Sequence, residues 1–451
     1  MRLGLPFLAL LAVASLPAPA SAAVRVEGEI TRSVFDCGRG CSETDNIAHI
    51  AITADGRAPA GTTVEVSSAT LTVRDPAGVT AAGACAPVDP VTADCALPTD
   101  LTEGPRIRAR LTPLDDRLAA SSTAEGPVWV SAAGEDGADT IDLSGLALPV
   151  PRDLGAWALR PDRPGARLIG GPGDDTLVGG ASDDALDGGP GSDALDGGPG
   201  ADLARFRDAT GPVTASLAAG AAESDGLGGR DTLTAIEGLL GGPGDDALTG
   251  ADTDDGLFGG RGADTIAGLG GDDLVADNRG WRSRPAEDAD DVLDAGDGDD
   301  ELYSTGGRDR LSAGPGDDEL EAGEYGLPRA RGTVACGDGF DTLERLDGAR
   351  LGADCERFRD SSGGGYRNTV TRRGPWTFTL RGSCGANFRG SGCEIRLELR
   401  GEDGRLLATG RRATEVTVPE ALRADAGATL RATVAFLRKG DRLPPVRFAT
   451  G

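Results

Sequence analysis

A nine-residue frame runs through the middle of the chain and restricts its fold more than any other feature. From Gly170 the sequence reads GGPGDDTLVGGASDDALDGGPGSDALDGGPGAD, with Asp at the sixth position of each row and an apolar residue at the eighth. Rows start at Gly170, Gly179, Gly188 and Gly197. A second array starts at Gly241 and keeps the frame at 250, 259, 268, 277, 286, 295, 304 and 313. A flexible acidic spacer has no reason to hold leucine at one phase and aspartate at another.

Each row reads G-G-x-G-x-D-x-U-x, where U is apolar. Glycines at positions one, two and four allow positive φ and a tight turn. Positions seven to nine predict a short strand, with position eight facing in and seven and nine facing out. One turn and one strand per row give two rows per coil. The expected fold is all-β: a parallel β-roll solenoid of nine-residue repeats. Its narrow core is built from Leu177, Leu186, Leu195, Leu248, Leu257, Ile266, Val275, Leu293, Leu302, Leu311 and Leu320.

Position six carries Asp175, Asp184, Asp193, Asp202, Asp246, Asp255, Asp264, Asp273, Asp291, Asp300, Asp309 and Asp318. Rows two apart stack about 4.8 Å from each other. Like charges at that spacing repel by roughly 1 kcal/mol even in water. A hard divalent cation between successive turns relieves this. Calcium, with 6–8 oxygen ligands and tolerant geometry, fits better than magnesium. Turn carbonyls at Gly171, Gly173, Gly189, Gly191, Gly242, Gly244, Gly260 and Gly262 are the expected companion ligands.

The rows GGPGDDTLV, GGPGSDALD, GGPGDDALT and GGRGADTIA resemble the repeats-in-toxin, or haemolysin-type, calcium-binding nonapeptide family. The resemblance covers about 170–205 and 241–321, with partial rows at 134–142, 226–234 and 336–343. It implies a β-roll that folds when several calcium ions bind. Ser182 and Thr253 replace the position-four glycine, Leu269 a position-two glycine and Ala289 another turn glycine. Rows from 286 onward also lack the leading glycine. Weaker or vacant sites are expected there. The row DNRGWRSRP at 277 has Arg284 at the apolar position and is expected to bulge or loop out.

Around the arrays the expected organisation is a signal peptide at 1–23, an N-terminal β region at 24–130 with two small disulfide loops, and a lead-in at 131–169 with one isolated row. Array one (170–205), an insertion within the roll (206–240) and array two (241–321) follow. A disulfide-closed cap (322–360), a linker (361–370) and a small C-terminal β-sandwich (371–451) complete the chain. Met1-Arg2, an apolar run from Leu3 to Pro17 and small residues up to Ala23 are the marks of a secretory signal, with cleavage expected after Ala22 or Ala23. The run is short of the ~20 residues of a membrane span, so none is expected after cleavage. Eight cysteines in an exported chain suggest disulfides. Proximity favours Cys37–Cys41, Cys85–Cys95, Cys336–Cys355 and Cys384–Cys393. Zinc is disfavoured, since CxxC pairs are missing and the chain has one histidine.

The formal charge of −28 argues against nucleic acid as a partner. No HExxH or GxSxG motif occurs, and His49, between Ala48 and Ile50, reads as a structural strand residue. The chain is therefore expected to be a secreted, extracellular, non-enzymatic calcium binder with a structural or adhesive role. The net-basic C-terminal segment has an acidic cell-surface or extracellular polysaccharide as its candidate partner. The alternative is a β-helical polysaccharide lyase or epimerase, whose only candidate cluster is Arg279, Trp281, Arg282 and Arg284.

Overall fold

A computed structural model describes residues 24–36, 42–54, 61–97, 105–124, 128–146, 165–278, 289–305, 307–322, 332–339, 341–344, 350–351, 357–360, 367–374, 377–383, 395–400, 405–411, 415–423, 429–436 and 446–449. The proposed signal, the Cys37–Cys41 and Cys384–Cys393 pairs, and Arg279, Trp281, Arg282 and Arg284 lie outside these residues. Nearly every described element is a strand; the one helix spans Glu420–Arg423.

Two parallel sheets form the roll, and each coil contributes one strand to each. In one sheet, Ile141 pairs with Leu177 and Leu177 with Leu195. In the other, Leu168 pairs with Leu186. The same ladders continue through Leu248, Ile266, Leu293, Leu311 and Val334, and through Leu239, Leu257, Val275, Leu302, Leu320 and Leu343. The position-eight side chains thus stack in register, and all are buried between the sheets. This is the β-roll that the nine-residue phase predicts.

The outward faces differ between the sheets. Strand Thr176–Val178 is exposed, buried, then intermediate, as alternation requires. Strands Ala185–Asp187, Leu203–Arg205, Gly238–Leu240, Gly256–Phe258 and Leu274–Ala276 are buried on both faces. The expectation that positions seven and nine face solvent therefore fails on these five strands, while Glu301 and Tyr303 further along the same sheet stay partly exposed. Leu203, Leu240, Phe258, Leu274 and Ala276 form a second apolar cluster, with Tyr303 packed against it.

The degenerate row is skipped by the ladder. Strand Thr265–Gly270 pairs with Val292–Asp297, and Leu274–Ala276 with Glu301–Ser304, so Ile266 meets Leu293 and Val275 meets Leu302. The 206–240 interruption breaks the symmetry differently. One sheet steps from Leu203–Arg205 straight to Gly238–Leu240. The other interposes Asp231–Thr234, Ala221–Ser224 and Thr214–Ser216 between Ala194–Asp196 and Ala247–Thr249, with Ala221–Ser224 antiparallel to both neighbours.

The flanking regions extend the same two sheets. Strand Arg106–Arg110 pairs in parallel with Trp129–Ala133, which pairs with Ala166–Ile169 at the start of the roll. The strand holding His49 lies beside it, with His49 opposite Arg106 and Glu29. A disulfide joins Cys85 to Cys95 across two antiparallel strands. Cys336 is also disulfide-bonded. At the far end, Arg357–Asp360 continues one sheet and pairs antiparallel with Arg367–Gly374. Residues 367–370, expected in a linker, are therefore strand. Val446–Ala449 extends the other sheet against Arg350–Leu351.

Candidate metal centre

The aspartates line the two edges where the sheets turn into each other. The position-six carboxylates do two things. For all of them but Asp255, Oδ1 accepts the backbone amide of the corresponding residue one coil earlier. The amide of Asp175 donates to Asp193 at 2.8 Å, Asp246 to Asp264 at 2.9 Å, and Asp264 to Asp291 at 2.7 Å. On the other edge Asp184 donates to Asp202 at 2.6 Å, Asp255 to Asp273 at 2.8 Å, Asp273 to Asp300 at 2.8 Å, and Asp300 to Asp318 at 2.9 Å. Asp291 donates to Asp309 at 3.1 Å. All twelve predicted carboxylates are buried.

The second oxygen divides them. Oδ2 of Asp175, Asp193, Asp202, Asp264, Asp273, Asp300 and Asp318 is buried with no protein hydrogen-bond partner. In three other rows Oδ2 is taken by an amide of its own turn: Gly180 to Asp184 at 2.6 Å, Gly242 to Asp246 at 2.7 Å, and Ala251 to Asp255 at 2.6 Å. Two of these rows carry the position-four substitutions. There the Ser182 and Thr253 hydroxyls donate to Oδ1 of Asp184 and Asp255 at 3.0 and 3.1 Å. Ser304, in place of a leading glycine, likewise donates to Oδ2 of Asp309.

The turn glycines have two separate purposes. Gly171, Gly173, Gly189, Gly191, Gly260 and Gly262 adopt positive φ. Gly242 and Gly244 are not among the positive-φ residues; they abut Ala209 and Gly211 of the insertion instead. The leading glycine is needed for space, which corrects the expectation that it serves the turn through φ. A Cβ on Gly170 would stand 2.2 Å from Asp175 Oδ2 and 2.5 Å from the Gly188 carbonyl oxygen. On Gly268 it would meet Asp273 Oδ2 and the Ala295 carbonyl, both at 2.1 Å. Carboxylate and carbonyl oxygens crowd this spot in successive coils, and no side chain fits.

Without a cation, burial pushes these carboxyls upward: Asp175 and Asp300 to about 6, Asp193, Asp264 and Asp273 to about 8, and Asp202 to about 9. Neighbouring carboxylates add to the effect. A bound cation inverts this logic by favouring the charged form. The donor set is oxygen only, anionic and buried, and the unpartnered Oδ2 atoms need a positive partner. It fits a hard cation such as calcium.

Several members of the ladder escape the position-six list. Asp139, Asp231 and Asp341 come from the partial rows. Asp116 and Glu237 take the same place without any glycine frame; Asp202 donates to Glu237 at 2.9 Å. Their residual signal is an acid two residues before Leu118 or Leu239. Asp277 stands where a leading glycine belongs. It brings a third buried carboxylate within 4.8 Å of Asp291 and Asp309.

Residues 169–204, 240–275 and 286–323 match the model of the RTX calcium-binding nonapeptide repeat. These segments are RTX repeats, and the fold they build here is the β-roll described above. No curated protein matches the chain. Among the described residues no helix is long and apolar enough to cross a membrane.

Proposed function

We propose that this protein is an exported structural or adhesive rod whose array folds when calcium binds, outside the cell. The unpartnered, buried Oδ2 atoms along both edges carry this reading. Asp175, Asp193, Asp202, Asp264, Asp273, Asp300 and Asp318 hold the ions, together with carbonyl oxygens of the glycine turns. Asp184, Asp246, Asp255 and Asp309, already satisfied by protein donors, contribute less. Calcium supplies the positive charge that lets the buried carboxylates stay ionised. Weak extracellular-type sites of about 10⁻⁴–10⁻³ M would leave the array expanded where calcium is scarce and folded where it is millimolar. Binding energy becomes folding energy by linkage.

The rod spaces its flanking β regions and presents the basic C-terminal strands, for which an acidic surface polysaccharide is the suited partner. The test is a calcium titration of the full chain by calorimetry and circular dichroism together. Cooperative uptake of several ions with a gain of strand is expected. Equal strand content in chelator and in calcium would sink the reading.

A further inference from the structure

The hairpin that interrupts the roll brings in a carboxylate that the nonapeptide frame does not supply. Asp225 follows strand Ala221–Ser224 and is 1 % exposed. Its Oδ1 accepts three successive amides, from Leu227 at 2.7 Å, Gly228 at 2.8 Å and Gly229 at 2.9 Å. These bonds fix the side chain in one orientation. Its Oδ2 is buried with no protein partner.

That oxygen belongs to a region already rich in unsatisfied oxygens. Asp193 Oδ2 is also buried and unpartnered, and Asp193 is 2 % exposed. Asp231 Oδ1 accepts the backbone amide of Asp193 at 3.0 Å, which sets these two carboxylates in adjacent coils. A Cβ on Gly229 would stand 1.4 Å from the Gly191 carbonyl oxygen and 3.0 Å from Asp225 Oδ2. The neighbouring guanidinium, Arg230, is turned to the surface and paired with Glu223 at 2.7 Å.

The regular turn shows what has been exchanged. At Gly170 the Gly188 carbonyl, one coil on, approaches the leading-glycine position to 2.5 Å. At Gly188 the three nearest atoms all belong to Asp193. The counterpart carbonyl, that of Gly226, accepts the amides of Thr210 and Gly211 at 3.1 and 2.9 Å instead. The seam between the arrays has lost a carbonyl and gained a carboxylate.

We propose that Asp225 and Asp193, with Asp231 beside them, bind one calcium ion at this seam, in a site the hairpin completes with a carboxylate that the repeat frame does not supply. The ion fastens the hairpin to the last regular coil of the first array, where the 18-residue step is broken. This rests on the calcium reading of the repeats.

The test counts calcium ions per full-length chain by calorimetry, with circular dichroism alongside. Asp225→Asn keeps an oxygen for the three amides and removes the charge. It should bind one ion fewer than wild type, with unchanged strand content at saturating calcium and the remaining sites within twofold in affinity. Asp225→Glu keeps the charge but moves the oxygens. It should keep the ion count and weaken one site about tenfold. An unchanged count and affinity in either variant that folds overturns the seam site while leaving the repeat sites standing. A wild-type chain that takes up no calcium overturns the broader reading as well, so the two failures are told apart.

Discussion

The backbone amide of Asp175 donates to Oδ1 of Asp193, 18 residues on, at 2.8 Å, while Oδ2 of the same Asp193 has no protein partner. One oxygen thus sets the coil-to-coil register, and the other is the one we propose for a cation. A carboxylate split in this way links metal binding to folding without any separate binding pocket.

Acid should substitute for calcium. In calcium-free buffer the folded-state values of Asp175, Asp264, Asp273 and Asp202, about 6, 8, 8 and 9, exceed the ~3.9 of an unfolded aspartate. Groups raised on folding stabilise the fold fully below the unfolded value, and that contribution is lost as pH rises through the folded values. Strand content without calcium should therefore be highest near pH 4 and fall between about pH 4 and 9. With saturating calcium it should persist at pH 7–8. A calcium-free array equally folded at pH 4 and pH 9 would contradict this.

Neighbouring rows should respond differently to loss of charge. Asp264→Asn should remove one calcium and raise the calcium midpoint of folding several-fold. Asp184→Asn should leave the ion count unchanged and lower stability by about 1–2 kcal/mol, because Asp184 accepts from Gly180, Ala166 and Ser182. Calorimetric ion counts and denaturant midpoints read both effects. Equal ion loss in the two variants would refute the distinction between free and satisfied Oδ2 atoms.

Two glycine substitutions separate space from backbone conformation. Gly170→Ala drives a methyl into Asp175 Oδ2 and the Gly188 carbonyl, and should cost stability and calcium affinity together. Gly228 has φ of +109° and nothing within 4 Å of a Cβ, so Gly228→Ala should cost only about 1–2 kcal/mol of left-handed strain. Thermal melts at fixed calcium give the comparison. A milder effect at Gly170 than at Gly228 would count against the crowding seen there.

Leu269 occupies a position-two site with φ of +85° and is 44 % exposed. Leu269→Gly removes left-handed strain at the cost of some unfolded-state entropy, and should stabilise the roll by about 0.5–1 kcal/mol. A lower melting temperature in the variant would contradict this.

The roll was legible because two phases, leucine and aspartate, repeat independently in one frame. Leu177 and Leu195 announce the core, and Asp175 and Asp193 the edge. Asp116 and Glu237 were hidden because neighbouring strands hold them in the ladder without any glycine turn of the repeat type. The burial of Leu240 and Phe258 on the outer face depends on tertiary packing, to which a nine-residue pattern is blind. The role of Gly170 was misassigned because glycine signals positive φ and close approach with the same letter. Asp225 lay one residue before a partial row, and only the hairpin's return brings it to Asp193.

The aspartate ladder also has a direction. From Asp116 to Asp139, Asp139 to Asp175, and Asp175 to Asp193, the amide always belongs to the earlier coil and the accepting carboxylate to the later one. A coil whose successor has not arrived therefore holds a buried amide with no acceptor. In a chain that enters solvent amino end first, each coil is completed only when the next one follows, so completion runs from the amino side and the incomplete coil is always the one most recently exposed. Assembly order is thus written into which residue donates and which accepts.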